Sequence, residues 1–419
     1  MPTAAVRTPV LVAGAGVSGA ITALELAHHG VPSMVVERAG GPSRFADRLL
    51  ISGRSMALLR RLNLADVLRD GVDPDRPLDV LWQPDRDGPP VLAARLPSAT
   101  ELTRAYAEAA GGTAPAEPYL LTGEPALTVR LRRAMHRHPL IDLRTRWILS
   151  DVRADRDGVQ ATVIDAEAGT RHVVEAAYLA GCDGADSTVR RCAGLAMDVV
   201  GPAFPHLTVY FRSPALAGRR AGPSEVITAD VTLIVGHDGD RCVAHLPITT
   251  GDQVAVADPA DVLQHRLGLP GDPPEIVAVA QRPGVPAVAR TYRSGRIFLA
   301  GQAAHQAELS GDDVDTCIGD AVGLGRRLAA AVRGRAGDRV LTGYQRERRC
   351  AALQDQKLAR RARRIRQEFP RVACSGAPGE EGVLRERVMW WPSLSGDAGI
   401  APPISNGLQE RCRHRTPPI

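Results

Sequence analysis

Three closely spaced glycines near the start of the chain restrict its fold more than any other feature. Gly14, Gly16 and Gly19 follow an apolar run, residues 9–13, and precede an apolar helical pattern over residues 20–29. In a turn between a strand and a helix, such glycines allow a tight bend, close approach of a phosphate, and packing of the helix on the strand. The helix N-terminus also attracts the phosphate with its free amides. The pattern predicts a βαβ unit that binds a dinucleotide, with contacts that include the intervening Val17 and Ser18.

A second apolar run, residues 33–36, ends in Glu37 and Arg38. Dinucleotide-binding units commonly carry an acid about 20 residues after the glycine turn, where it accepts hydrogen bonds from a ribose. Glu37 lies at this spacing, so Glu37 and Arg38 are predicted to contact the nucleotide. The glycine pattern alone is a weak signal, and the strand, the helix and the spaced acid strengthen it.

Two later segments have a similar strand and turn character. Residues 177–190 predict a strand, a turn at Asp183 and Gly184, and a helix start capped by Ser187. Residues 296–305 read Arg-Ile-Phe-Leu-Ala-Gly-Gln-Ala-Ala-His, an apolar strand that leads into Gly301 and Gln302.

Together these segments resemble the three FAD-binding motifs of the class A flavoprotein monooxygenases of the para-hydroxybenzoate hydroxylase fold. A later family element, Tyr-x-x-Glu-Arg-Arg, matches residues 344–349. The resemblance implies an α/β fold in which a Rossmann-like FAD-binding domain is interleaved with a mixed-sheet substrate domain. It also implies FAD as cofactor, and Arg54, near the start of an expected helix, as a further cofactor contact. His305 ends the third motif and is ordinarily structural in the family, so we do not expect it to act as a base.

The flavin end of the predicted site departs from the family pattern. Gln302 stands where the family has an Asp that holds the ribityl chain. Asp313 and Asp315 take the places of a Gly and an Asn in the segment beneath the flavin ring, and Glu124 replaces a Gln. At ~5 Å and an effective dielectric of about 20, each carboxylate would repel a reduced flavin anion by roughly 3 kcal/mol. That would lower a two-electron potential by on the order of 60 mV.

Two interpretations of these acids remain open. They are possible catalytic acids or bases in a ring site that no longer serves flavin chemistry, so Glu124, Asp313 and Asp315 are the catalytic candidates. Alternatively, they are ordinary carboxylates at helix starts, where the helix dipole favours negative charge.

Composition excludes several other classes of function. The net charge is only +5 over 419 residues, and the densest basic run, residues 358–371, has a single aromatic, Phe369, and no interleaved stacking platform, so we expect no nucleic-acid surface. The seven cysteines are scattered without a Cys-x-x-Cys pair, and no histidines show metal-ligand spacing, so the sequence predicts neither disulfides nor a metal site. No apolar run reaches the length of a membrane span and no signal peptide is recognised, so we expect a cytoplasmic protein.

The domain boundaries follow the resemblance. We predict a discontinuous FAD-binding domain over residues 1–76, 119–200 and 284–350. Residues 77–118 and 201–283 are assigned to the substrate-binding domain, and residues 351–419 to a C-terminal helix and tail. Trp390 and Trp391 are expected to anchor that tail on the body of the protein.

Three functions fit these observations. The sequence favours a non-redox cyclase on the flavoprotein scaffold, forming a ring by a [4+2]-type reaction in a small, apolar polyketide intermediate, with FAD structural, weakly bound or lost. The alternative is an FAD-dependent monooxygenase of secondary metabolism, which alone would need NAD(P)H. A catalytically silent FAD-binding protein is the third.

Overall fold

The protein is described here by a computed structural model. The described residues are 5–43, 48–82, 92–108, 116–217, 224–228, 231–236, 241–248, 258–267, 273–307 and 313–375. The predicted tail, with Trp390 and Trp391, lies outside them.

The strands of the described residues fall into four sheets. In chain order they are β1 (Val6–Ala13), β2 (Ser33–Glu37), β3 (Arg48–Ile51), β4 (Leu78–Trp82), β5 (Leu92–Leu96), β6 (Leu120–Gly123), β7 (Ile141–Thr145), β8 (Trp147–Ala154), β9 (Val159–Asp165), β10 (Thr170–Gly181), β11 (Met197–Val199), β12 (His206–Arg212), β13 (Ser224–Ile227), β14 (Thr232–Val235), β15 (Arg241–Pro247), β16 (Glu275–Arg282), β17 (Ala287–Ala289), β18 (Arg293–Ser294), β19 (Ile297–Leu299) and β20 (His305–Gln306).

The helices of the same residues pack on these sheets and connect them. They are α1 (Val17–His28), α2 (Gly53–Arg61), α3 (Ala65–Arg69), α4 (Ala99–Glu108), α5 (Glu124–His136), α6 (Thr188–Cys192), α7 (Pro214–Ala217), α8 (Pro259–Leu267), α9 (Val314–Val332) and α10 (Asp338–Ser375), with a 3₁₀ turn at Gly301–Ala303.

The largest sheet carries the glycine turn at one edge. Its main path runs β18-β19-β10-β1-β2-β7, and the neighbouring pairs from β19 to β7 are parallel. Val10, Leu11 and Val12 of β1 are fully buried, as expected for a strand covered on both faces. Because parallel strands end at the same edge, the segments after β1, β10 and β19 meet there. The three predicted motifs therefore converge.

The second large sheet draws its strands from two distant parts of the chain. Its order is β16-β12-β15-β14-β13-β4-β5, and β4 pairs in parallel with β13. A separate apolar core that includes Val209, Phe211 and Val235 lies against it. This composition is the one that the predicted interleaved domains would produce, and the boundaries themselves stay a prediction.

The predicted α/β architecture is confirmed by these sheets. The C-terminal helix α10 begins at Asp338 and continues across residue 350, where the sequence prediction placed a boundary. No helix in the described part of the chain is both long and apolar enough to cross a membrane.

Candidate cofactor cleft

The glycine turn has the geometry that its sequence predicts. Gly14 has a φ of 96°, and a Cβ added there would lie 2.3 Å from the Cys182 carbonyl oxygen. A Cβ at Gly19 would lie 1.9 Å from the Gly14 oxygen, so α1 packs directly on the turn. By contrast, a Cβ at Gly16 would meet nothing within 4 Å. Gly14 and Gly19 are therefore required by the fold, whereas Gly16 leaves space for a ligand.

Glu37 is held beside this turn by backbone hydrogen bonds. Its Oε2 accepts from the Ala15 amide at 2.7 Å, and its Oε1 accepts from the Ala39 amide at 2.7 Å. The Arg132 guanidinium lies 3.8 Å from Oε2. The carboxylate is thus fixed at the end of β2, next to the turn, while the side chain of Arg38 is exposed.

A cleft of about 370 Å³ joins the turn to the altered motif. Of the residues predicted to form the site, those that line it are Gly14, Gly16, Val17, Ser18, Glu37, Arg38, Glu124, Asp183, Gln302 and Asp313. Other predicted residues, Gly19, Arg54, Gly301 and Asp315, do not contribute to its lining among the described residues. Gly19 and Gly301 support the backbone beneath the cleft, and Arg54 is exposed in the first turn of α2.

Asp183 has a structural task at the second motif. Its Oδ1 accepts from the Ser187 hydroxyl at 2.5 Å, and its Oδ2 accepts from the Val189 amide at 3.0 Å. The predicted cap is present, because the Ser187 oxygen accepts from the Arg190 amide at 2.9 Å. Both carboxylate oxygens of Asp183 therefore stabilise the start of α6 while the residue borders the cleft.

The third motif is locked to α9 and α10 through Asp320. Gly301, with a φ of 63°, donates its amide to Asp320 Oδ2 at 3.0 Å. Arg348 donates Nε–H to Asp320 Oδ1 at 2.7 Å. Asp320 is fully buried, and Arg348 comes from the late Tyr-x-x-Glu-Arg-Arg element. The neighbouring Gln302 side chain is exposed, so the backbone of the motif persists without its usual carboxylate.

His305 lies between two buried carboxylates, which sequence reasoning missed. Its Nε2 is 3.1 Å from Asp320 Oδ2, and its Nδ1 is 3.3 Å from Asp313 Oδ2. The second pair is close enough for an ion pair, but its alignment does not meet hydrogen-bond geometry. Burial lowers the pKa of His305, but Asp313 and Asp320 outweigh this effect and raise it to about 10. The imidazole is therefore a cation at neutral pH, and its charge offsets that of Asp313.

Asp313 is itself a buried residue, with 2% of its surface exposed. It occupies the N-cap position of α9, but its side chain makes no capping hydrogen bond and points to His305 instead. Asp313 thus lies at a helix start, as the second interpretation states, although its side chain forms no cap hydrogen bond.

The other two predicted acids lie in different surroundings. Asp315 Oδ1 accepts from the amide of Ser52 at 3.1 Å and from its hydroxyl at 3.0 Å, at the start of α2. Glu124 is the first residue of α5, is half-buried and lines the cleft. The predicted acid cluster is therefore split. Glu124 and Asp313 border one cavity, whereas Asp315 joins α9 to α2.

The residues fit the two halves of FAD unequally. The open space at Gly16, the helix N-terminus and the fixed Glu37 suit the ADP half. At the far end of the cleft, Gln302 cannot offer the usual carboxylate and Asp313 brings a carboxylate together with its cationic partner His305. The part of the cleft that is expected to hold the flavin ring thus lacks the usual carboxylate at position 302 but contains the buried His305–Asp313 ion pair.

The FAD binding domain family model matches residues 7–358 of the chain. The chain belongs to this family. The predicted resemblance to class A flavoprotein monooxygenases and the prediction of FAD as the cofactor are confirmed by this match.

Three curated relatives of this FAD-binding protein illustrate the range of its family. It is 29% identical to the FAD-dependent monooxygenase apdD of Emericella nidulans, over 83% of this chain and 60% of that protein. It is 31% identical to the tetracenomycin A2 monooxygenase-dioxygenase of Streptomyces glaucescens, over 86% and 68%. It is 32% identical to the dialkyldecalin synthase of Streptomyces rugosporus, over 82% and 69%. The chain thus spans about two thirds of the length of these relatives.

Among solved structures, the rebeccamycin biosynthetic enzyme RebC with reduced flavin has the same fold. It superposes with a TM-score of 0.79 at 27% identity, covering 92% of this chain and 76% of that chain. The FAD-binding scaffold and its monooxygenase-like relatives in natural-product pathways are therefore shown.

Proposed function

We propose that this FAD-binding protein is a non-redox enzyme that closes a ring in a small, apolar polyketide-type intermediate. The observation that carries the proposal is Asp313, a carboxylate buried at the flavin end of the cleft and paired with His305. A carboxylate that had merely drifted into an unneeded site would have no reason to be buried beside a cation. Asp313 and His305 instead form a buried ion pair next to the part of the cleft where the flavin ring is expected.

The relatives support both the substrate class and the reaction. The names of two of them refer to tetracenomycin and to a dialkyldecalin, and the second of these is called a synthase rather than an oxygenase. A decalin contains two fused carbocycles, which are products of ring closure. The proposal extends this chemistry from the relative to the present chain.

A [4+2] closure needs no electron acceptor. Two carbon–carbon σ bonds form as the π electrons of a diene and an alkene are redistributed, and the product has the composition of the substrate. The cleft would act by holding the two π systems in a near-attack arrangement and excluding water. Glu124 and the His305–Asp313 pair would place polar groups against a substrate carbonyl and polarise it. FAD, when bound through its ADP half, would shape the cleft.

A monooxygenase is the second candidate, and two observations favour it. The two relatives named as monooxygenases perform that chemistry, and the structure of RebC contains reduced flavin. The His305 cation also offsets the Asp313 charge that was expected to oppose flavin reduction. In this reaction FAD would supply the redox chemistry, and NAD(P)H would be required.

The mass of the product separates the two reactions. The 419-residue chain is incubated with FAD and a synthetic linear polyene that carries an enone, in the presence and absence of NADPH. Ring closure gives an NADPH-independent product of unchanged mass. A product heavier by one oxygen atom, formed only with NADPH and accompanied by flavin bleaching, would establish the monooxygenase instead.

Restoring the family residues tests the assignment of the ring site. Gln302→Asp combined with Asp313→Gly should raise FAD affinity by about tenfold or more, since a ribityl contact is regained and a carboxylate is lost. Asp315→Asn is the matched control, because its side chain contacts Ser52 rather than the cleft. Equal FAD affinity in the double variant and the wild type would contradict the assignment.

A further inference from the structure

His305, Asp313 and Cys317 bring three potential metal ligands together at the flavin end of the cleft. The imidazole, carboxylate and thiol atoms all lie within 4.8 Å of one another, and all three side chains are buried. The chain positions of these residues gave no such signal, because they do not follow a familiar metal-ligand spacing and meet only when β20 packs beside the start of α9.

Two of the three atoms have no hydrogen-bond partner. Within the described residues, neither His305 Nδ1 nor Asp313 Oδ2 makes a hydrogen bond, although their side chains are only 1% and 2% exposed. Buried polar atoms without a partner are rare and costly, so each calls for an explanation. Here the two face each other at 3.3 Å.

The other side of the imidazole is arranged as in metal sites. Asp320 Oδ2 lies 3.1 Å from His305 Nε2, and Arg348 and the Gly301 amide hold that carboxylate in place. Without a metal, Nδ1 carries a proton and faces Asp313 as an ion pair. A metal ion would displace that proton and bind the Nδ1 lone pair, while the Asp320 carboxylate accepts the remaining Nε2–H. Asp320 therefore orients Nδ1 toward Asp313 and Cys317.

The electrostatic balance of the cluster also favours a cation. Asp355, on α10, contacts Thr316 and has its pKa raised to about 6 by burial and by the charge of Asp313. His305 offsets Asp313 and Arg348 offsets Asp320, so Asp355 is the remaining carboxylate, and it repels Asp313 when it is ionised. A divalent ion placed there would relieve this repulsion.

We propose that His305 Nδ1, Asp313 Oδ2 and Cys317 Sγ form a binding site for a divalent cation of the zinc class. Imidazole, carboxylate and thiolate are all zinc ligands, and bonds of roughly 2.0–2.3 Å place tetrahedral ligands about 3.5 Å apart. The His305–Asp313 separation already matches this spacing. Because the ligand atoms all lie within 4.8 Å of one another, reaching this spacing requires no more than about 1.3 Å of side-chain movement.

The site has a free fourth position. Asp313 and Cys317 both line the cleft, so a substrate oxygen or water can complete the coordination from that side. An ion with three protein ligands and an open position acts as a Lewis acid on a carbonyl. The cation site does not depend on the proposed ring closure, since binding can be measured without any substrate.

The test is metal binding by the full chain after treatment with a chelator. Titration with Co²⁺ should give one tightly bound ion per chain and a thiolate-to-cobalt charge-transfer absorption in the near ultraviolet. Zn²⁺ should displace the cobalt and abolish the band. Calorimetry with Zn²⁺ alone gives the affinity.

Variants identify the ligands. Cys317→Ser should remove the charge-transfer band, and Asp313→Asn should weaken Zn²⁺ binding by about tenfold or more. Cys192→Ser, which alters an exposed thiol away from the cluster, should leave both unchanged. Retained circular dichroism and unfolding temperature show that the variants are folded. Absence of a stoichiometric ion in the wild type, or wild-type affinity in both Cys317→Ser and Asp313→Asn, would overturn the site.

Discussion

At the scale of single residues, the glycine turn separates the needs of folding from those of binding. Gly19 has no room for a Cβ, whereas Gly16 faces open space with an ordinary φ of −72°. The two glycines belong to the same motif, yet only one is required by packing. Their substitutions therefore have different expected effects.

Gly16→Ala should change the free energy of unfolding by less than about 1 kcal/mol, because the backbone suits alanine. FAD affinity should fall by about tenfold or more, since the methyl group enters the path of the pyrophosphate. Gly19→Ala should instead destabilise the fold by about 1–3 kcal/mol or more through overpacking. Denaturant titration and flavin fluorescence measure the two effects, and a stability loss in Gly16→Ala equal to that in Gly19→Ala would refute this division.

Asp315 offers a test of structural against catalytic roles. Asp315→Ala removes the acceptor for two Ser52 groups and should lower the free energy of unfolding by about 1–3 kcal/mol. Asp315→Asn retains an oxygen at that position, so its loss should be smaller. Chemical denaturation of both variants checks this order. A fully stable Asp315→Ala protein with impaired turnover would restore Asp315 as a catalytic residue.

At the scale of elements, Asp355 lies at the contact between α9 and α10, where burial and a nearby carboxylate disfavour its ionised form. Burial and the neighbouring Asp313 charge raise the pKa of Asp355 from 3.8 to about 6. The folded state therefore binds a proton more tightly than the unfolded state does. The contribution of Asp355 to stability is therefore highest below its unfolded pKa and decreases as the pH rises from about 4 through 6.

Asp355→Asn should remove this pH dependence and stabilise the protein at pH 7 by up to about 3 kcal/mol. Denaturant titrations at pH 4 and pH 7 measure the effect. Asp338→Asn is the control on the same helix, because its ion pair with Arg293 leaves Asp338 mostly exposed and should contribute no more than about 1 kcal/mol. A pH profile that is the same in Asp355→Asn as in the wild type would count against this account.

The sequence predicted the elements better than the contacts between them. Periodicity and glycine spacing located β1, α1 and the turn, and the cap at Ser187 was confirmed, because these features depend on neighbours in the chain. The partnership of His305 with Asp313 and Asp320 depends instead on how β20 packs on α9. The one available hint was the late arginine element, whose Arg348 stabilises Asp320. Asp313 and Asp315 are likewise only two residues apart, yet their side chains point in different directions at the start of α9. Asp313 contacts His305, and Asp315 contacts Ser52.

At the scale of the whole molecule, the cleft predicts unequal recognition of the two halves of its cofactor. ADP should stabilise the protein against heat and compete with FAD, because the glycine turn and Glu37 match its groups. A ligand at 100 times its dissociation constant contributes about 2.7 kcal/mol. FMN, which lacks the adenosine half, should give a much smaller shift. Thermal unfolding with each ligand at equal concentration checks this, and equal shifts with FMN and FAD would contradict it.

The packing of the glycine turn against Cys182 also has a consequence for folding during synthesis. Cys182 donates its amide to the Ala13 oxygen at 2.8 Å, and β10 forms one whole side of β1. A nascent chain leaving the ribosome exposes β1 long before β10 has been synthesised. Pairing so distant in the chain is slow to form and leaves strand edges exposed meanwhile. The first motif to be translated is therefore complete only when the second emerges. We expect chaperones to bind the exposed β1 segment during translation.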